Sequence, residues 1–119
     1  MKVIFSRILL IFAILILATN CKSSGTEDED VPACIEIKID EIISNEVSNP
    51  PTQVWKWEVD DKTYYYITSD CCDQYNILYS ENCDIVCAPD GGFTGNGDGN
   101  CPDFKGEIVQ TLVWEDNRN

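Results

Sequence analysis

The chain has no histidine among its 119 residues. That absence removes Ser-His-Asp and Cys-His nucleophilic catalysis and the common histidine-bearing zinc hydrolase sites. Basic residues are scarce, with eight Lys and Arg against 21 Asp and Glu. So acidic a chain repels nucleic acid and anionic lipid, and neither is expected as a partner. No uncharged run reaches the ~20 residues that a bilayer about 30 Å thick requires. C-x2-C pairs are missing too, which leaves zinc a poor frame; Cys83-x3-Cys87 is the nearest thing to a metal clip. A carboxylate pair for glycoside chemistry is still available in principle, but none stands out by spacing. The expectation is that the protein is not an enzyme and carries no cofactor.

What is present begins at the N-terminus. Lys2 and Arg7 precede an uncharged stretch over residues 8–19, which ends at Asn20-Cys21. A short basic start, an apolar run of 12 residues and a cysteine at its exit read as a secretion signal. Residues 18–21 resemble the lipobox of bacterial lipoproteins, with Asn20 standing where members usually carry a small residue. The resemblance implies that residues 1–20 are removed and that Cys21 carries the acyl chains. Two or three chains anchor firmly, because burial contributes ~0.8 kcal/mol per CH₂. Ordinary secretion with cleavage near Cys21 is the alternative. On the first reading the protein lives in the bacterial cell envelope, its partner the outer membrane through the lipid anchor.

Residues 21–31 contain KSSGTEDED and read as a flexible acidic tether. The run resembles the acidic export signals of some surface-displayed lipoproteins, so display on the cell surface is a further expectation. Residues 32–119 then form one small domain. Once residues 1–20 are gone, six basic residues face 21 acidic ones, a formal balance of −15.

Six cysteines fall in that domain: Cys34, Cys71, Cys72, Cys83, Cys87 and Cys101. An even set in a short exported domain reads as a disulfide framework, each bridge adding typically ~2–4 kcal/mol. The reading brings Cys34 to Cys71 or Cys72 and Cys101 to Cys83 or Cys87. The neighbours Cys71 and Cys72 are expected to diverge, tying one strand end to two other segments; a bond between them would be the redox alternative.

Ile35, Ile39, Ile42 and Ile43 recur at helical spacing. Asp30 is the expected cap, Pro32 the first turn, and Asn49-Pro50-Pro51 the stop. Beyond it the period changes to two. Trp55, Trp57 and Val59 alternate with Val54, Lys56 and Glu58, and a polar turn at residues 60–62 leads into TYYYIT, the pattern of an aromatic hairpin. Further strands are expected over residues 76–79, 84–88 and 107–114. The fold class is α+β: one N-terminal helix packed on a small antiparallel sheet, braced by disulfides and carrying a glycine-rich loop.

That loop holds five of the seven glycines, interleaved with Asp90, Asn96, Asp98 and Asn100. Glycines and carboxylates make a calcium site one candidate, with these four residues as ligands. The EF-hand pattern fails at Cys101, and a phosphate loop lacks its Gly-Lys-Ser/Thr end. The plainer alternative is a disulfide-pinned turn-rich loop. Trp55, Trp57, Tyr64, Tyr65 and Tyr66 cover both faces of the hairpin; one face packs the core, and the other, if exposed, is a surface for a glycan or protein ligand.

CCDQYN, CAPDGG and TGNGDGNCPDF, together with P-x-C-I at Pro32, resemble an uncharacterised family of small cysteine-rich bacterial envelope lipoproteins. The likeness runs from Pro32 onward, and its cysteines are Cys34, Cys71, Cys72, Cys87 and Cys101; Cys83 stands where glycine or a polar turn residue is expected. It implies an envelope location and no assigned activity. The expected function is therefore a non-enzymatic binding or structural module of the envelope. A protease-inhibitor-like module, presenting residues 90–100, and a calcium-binding module are the alternatives. Cys21→Ala should release the protein from the membrane fraction; a variant that stays there unchanged contradicts the lipid anchor.

Overall fold

A computed structural model describes residues 31–118. Cys21 and Asp30 lie outside the described residues, as do the signal and most of the tether. Helix α1 (Ala33–Ile43) precedes five strands: β1 (Gln53–Val59), β2 (Lys62–Ile67), β3 (Tyr75–Ser80), β4 (Ile85–Gly91) and β5 (Val109–Glu115). All pairings are antiparallel, in the order β4-β3-β2-β1-β5. The expected helix and strands are all there. Among the described residues no helix is long and apolar enough to cross a membrane.

The sheet is apolar on both sides. Tyr64 and Tyr65 are neighbours on β2, yet they enter different clusters because successive strand side chains point to opposite faces. Trp57, Val59, Tyr64, Leu78 and Cys87 are buried on one face. Ile35, Val54 and Tyr65 are buried on the other, with Ile39, Tyr79 and Trp114 packed around them. Helix α1 covers the second face. The first is covered by the chain between β4 and β5, which crosses the sheet from one edge to the other and lays Cys101, Phe104 and Ile108 on the cluster.

Two features fasten that crossover. Cys87 on β4 is bonded to Cys101. Asp60, at the hairpin tip, accepts hydrogen bonds from the backbone N–H groups of Lys105 (2.9 Å) and Gly106 (2.8 Å). Asp60 and Asp61 both take positive φ, 52° and 60°, as a two-residue hairpin turn of this hand requires.

Cys34 is bonded to Cys83, which corrects its expected partner. Geometry gives the reason. Cys71 and Cys72 lie in the β2–β3 connection, whereas Cys83 lies in the β3–β4 turn at the other end of β3. Six residues of strand at ~3.3 Å each separate the two ends, and the start of α1 reaches only the latter. Cys71 and Cys72 bond to each other instead of diverging. Cys87–Cys101 is one of the two pairings expected for Cys101.

The helix also ends earlier than the prolines require. Pro32 precedes the first turn as its N-cap, and its carbonyl accepts from Ile35 and Glu36. At the far end Ser44 Oγ and Asn45 Nδ2 both donate to the Glu41 carbonyl, 2.6 and 2.9 Å away. Arg118 caps the same terminus by donating to the carbonyls of Ile43 (2.7 Å) and Asn45 (3.2 Å). A cation there also opposes the negative end of the helix dipole. Buried Asp116 holds that guanidinium through two bonds of 2.8 Å, and the arginine in turn keeps the Asp116 carboxyl below its usual range.

Replacing Cys34 and Cys83 together by serine should lower stability by ~2–4 kcal/mol, since the bond closes a long loop. The double serine variant at Cys71 and Cys72 should lose far less, because a bond between neighbours restricts the unfolded chain little. Urea denaturation of both checks the contrast; equal losses contradict it.

Candidate functional site

The glycine-rich crossover folds onto the edge of the sheet. A Cβ on Gly97 would lie 2.1 Å from the Ala88 carbonyl oxygen, so only glycine fits where the loop docks on β4. The Asp98 N–H donates to that same oxygen at 3.0 Å. The proposed calcium ligands face different ways. Asp90 turns across the sheet and accepts from Tyr66 Oη (2.8 and 2.9 Å) and from Asn76 Nδ2 (2.6 Å). Asp98 closes a local turn by accepting from the Asn100 N–H at 2.9 Å, which holds its carboxyl below the usual range. Asn96 and Asn100 are exposed. Among the described residues, no three His, Cys, Asp or Glu side chains gather as a metal site. Phe93, 90% exposed, sits inside a turn closed by Gly95 N–H to the Gly92 carbonyl, not on an extended segment.

The aromatic hairpin is spent largely on the two cores. Trp57, Tyr64 and Tyr65 are buried, and Trp55 and Tyr66 are half-buried. Trp57 stacks on Tyr66 at 5.1 Å, and Tyr64 meets Phe104 edge-on at 5.6 Å. Trp55 Nε1 donates to Gln53 Oε1 (3.0 Å), whose amide in turn donates to Glu115. The Trp57 indole N–H is buried with no partner among the described residues. Burial first, and then the bond to Asp90, push the Tyr66 phenol far above its ordinary ionisation range.

A concavity lies on the helix-covered face. Between the end of α1 with the segment after it and strands β2 and β3 lies a cleft of about 230 Å³. Ile42, Ile67 and Ile77 form its apolar lining, and Tyr79 and Tyr75 stand along β3. Ser48, Thr68 and Gln74 add polar groups. Ser48 and Thr68 are themselves fixed, Ser48 to Thr52 at 3.0 Å and Thr68 to the Gln53 N–H at 2.8 Å. Tyr79 is half-buried, which raises its phenol above the ordinary range with help from the Glu41 charge, and Lys38 Nζ lies 4.4 Å from the centre of its ring. The loop bearing Cys71 and Cys72 joins Asp70 and Gln74, both of which line this cleft. Sequence reasoning missed it, because its walls come from three separated segments and carry no shared periodicity.

The family described as a domain of unknown function, DUF6970, matches residues 40–116. No curated protein and no solved structure matches the chain. The matched segment takes in the whole sheet, the crossover and every residue lining the cleft.

Tyrosine ionisation tests the Tyr66–Asp90 pair. A phenol whose folded pKa is raised stabilises the fold below the unfolded value of about 10 and loses that contribution as pH climbs above it. Tyr66→Phe should therefore flatten the fall in stability above about pH 10, and Asp90→Ala should bring the Tyr66 titration partway down, since burial remains. An unchanged alkaline limb in Tyr66→Phe contradicts the assignment.

Proposed function

The chain belongs to the DUF6970 family, and on that premise we propose that it is a lipid-anchored protein of the bacterial cell envelope. It acts as a non-enzymatic binding module and holds a small ligand in the cleft between α1 and strands β2 and β3. The N-terminal pattern that ends at Cys21 supports the location, and the lack of histidine supports a binding role over a catalytic one. One observation carries the site: a concavity of about 230 Å³ with an apolar floor, a polar rim and walls fixed by internal hydrogen bonds. Ligand sites are commonly concave, largely apolar and supplied with a few placed polar groups. This cleft is smaller than the ~300–1,000 Å³ of sites for drug-sized molecules, so its ligand is smaller as well.

The glycine-rich crossover serves the fold in this reading. Its glycines allow close docking, and its acidic side chains complete turns and a strand-to-strand network. A fragment library screened by NMR against the full chain tests the site. Saturable binders should shift the methyl signals of Ile42, Ile67 and Ile77. Failure to find any, or hits that map only to residues 91–100, overturns the cleft reading.

A further inference from the structure

We propose that the cleft at the end of α1 selects a small organic cation: a primary ammonium group carried on an aromatic or branched apolar body. The inference rests on the cleft reading above and goes on to its chemical selectivity.

The charged side chains in the lining of the cleft are acidic. Glu46, in the segment after α1, and Asp70, in the connection after β2, both line it. Both are exposed carboxylates, and neither has a hydrogen-bond or ion-pair partner among the described residues. No Lys or Arg belongs to the lining. The nearest guanidinium, Arg118, reaches the Asn45 carbonyl at the rim, but buried Asp116 pairs with it through two bonds and balances its charge. The cleft therefore has two exposed carboxylates without partners in its lining, and the ammonium beside it, that of Lys38, lies on the Tyr79 ring.

The tyrosines add to this preference. Aromatic faces are negative and attract cations within about 6 Å of the ring centre. Lys38 already demonstrates the effect on Tyr79, with its ammonium 4.4 Å from the centroid. Tyr75, 48% exposed, packs its ring against Gly92 and also lines the cleft, and no side-chain cation lies on that ring among the described residues. Ile67 and Ile77 take the apolar body. The strong acidity of the whole chain raises the local concentration of cations and lowers that of anions. A metal ion is a poorer fit, because calcium takes six to eight oxygens and two carboxylates do not assemble a site among the described residues.

Three probes of nearly equal size make the test: phenethylammonium, its neutral counterpart 2-phenylethanol, and the anion phenylacetate. Each is titrated into the full chain, with its disulfides formed, and followed by NMR. Phenethylammonium should perturb Ile67, Ile77 and the Tyr75 ring saturably, and its affinity should fall as salt rises. The alcohol and the anion should bind roughly tenfold more weakly or not at all. Glu46→Gln combined with Asp70→Asn should weaken phenethylammonium by roughly three- to tenfold, in keeping with exposed ion pairs. Equal binding of all three probes in the cleft overturns the cation preference and leaves the cleft reading intact. So does an affinity untouched by the double variant. Absence of cleft perturbation by any probe, with an empty fragment screen, removes both.

Discussion

The bond from Cys34 to Cys83 holds the helix to a face of the sheet that would otherwise present Tyr65, Tyr79 and Val54 to water. Helix α1 has only 11 residues, and isolated helices of that length are marginal in water. Ile35 is its single fully buried side chain, so apolar contact alone gives it a slender hold. The covalent link near its start and the Arg118–Asp116 cap at its end fix the helix at both extremities. The cleft lies beside this attached helix: Ile42 in its last turn lines it together with Tyr75, Ile77 and Tyr79 of β3.

The opposite face faces the same shortage of chain and meets it differently. Among the described residues no second helix covers Trp57, Tyr64 and Leu78; an irregular crossover does, held by Cys87–Cys101, by docking at Gly97 and by the Asp60 carboxylate. An irregular segment over a core must satisfy its backbone groups locally. The glycines and the Asp and Asn side chains do that, which accounts for a composition that otherwise looks like a cation loop. Asp98 is the clearest instance, since its carboxylate accepts from the Asn100 N–H.

Much of this was legible in the residues. Alternation of Trp55, Trp57 and Val59 against Val54 announces a strand with two different faces, and the TYYYIT run repeats the signal. The isoleucine spacing announces the helix. The partner of Cys34 was not legible, because it depends on which strand end the helix start overlies, and no local pattern records that. The cleft was hidden for a related reason: Glu46, Asp70 and Tyr75 come together only after β2 and β3 pair and α1 stops short. Arg118 gave no signal either, since a lone arginine near the end of an acidic sequence looks like surface charge.

Function in this account follows from that architecture. A small domain with too little chain for a large core uses covalent links to clothe both faces of one sheet, and the proposed binding site is the seam beside the shorter layer. Non-reducing digestion followed by mass spectrometry tests the foundation most directly. The account predicts one linked peptide pair joining Cys34 to Cys83 and another joining Cys87 to Cys101, with Cys71 and Cys72 oxidised within a single peptide. A link from Cys34 to Cys71 or Cys72, or free thiols at Cys34 and Cys83 in the folded protein, would contradict it.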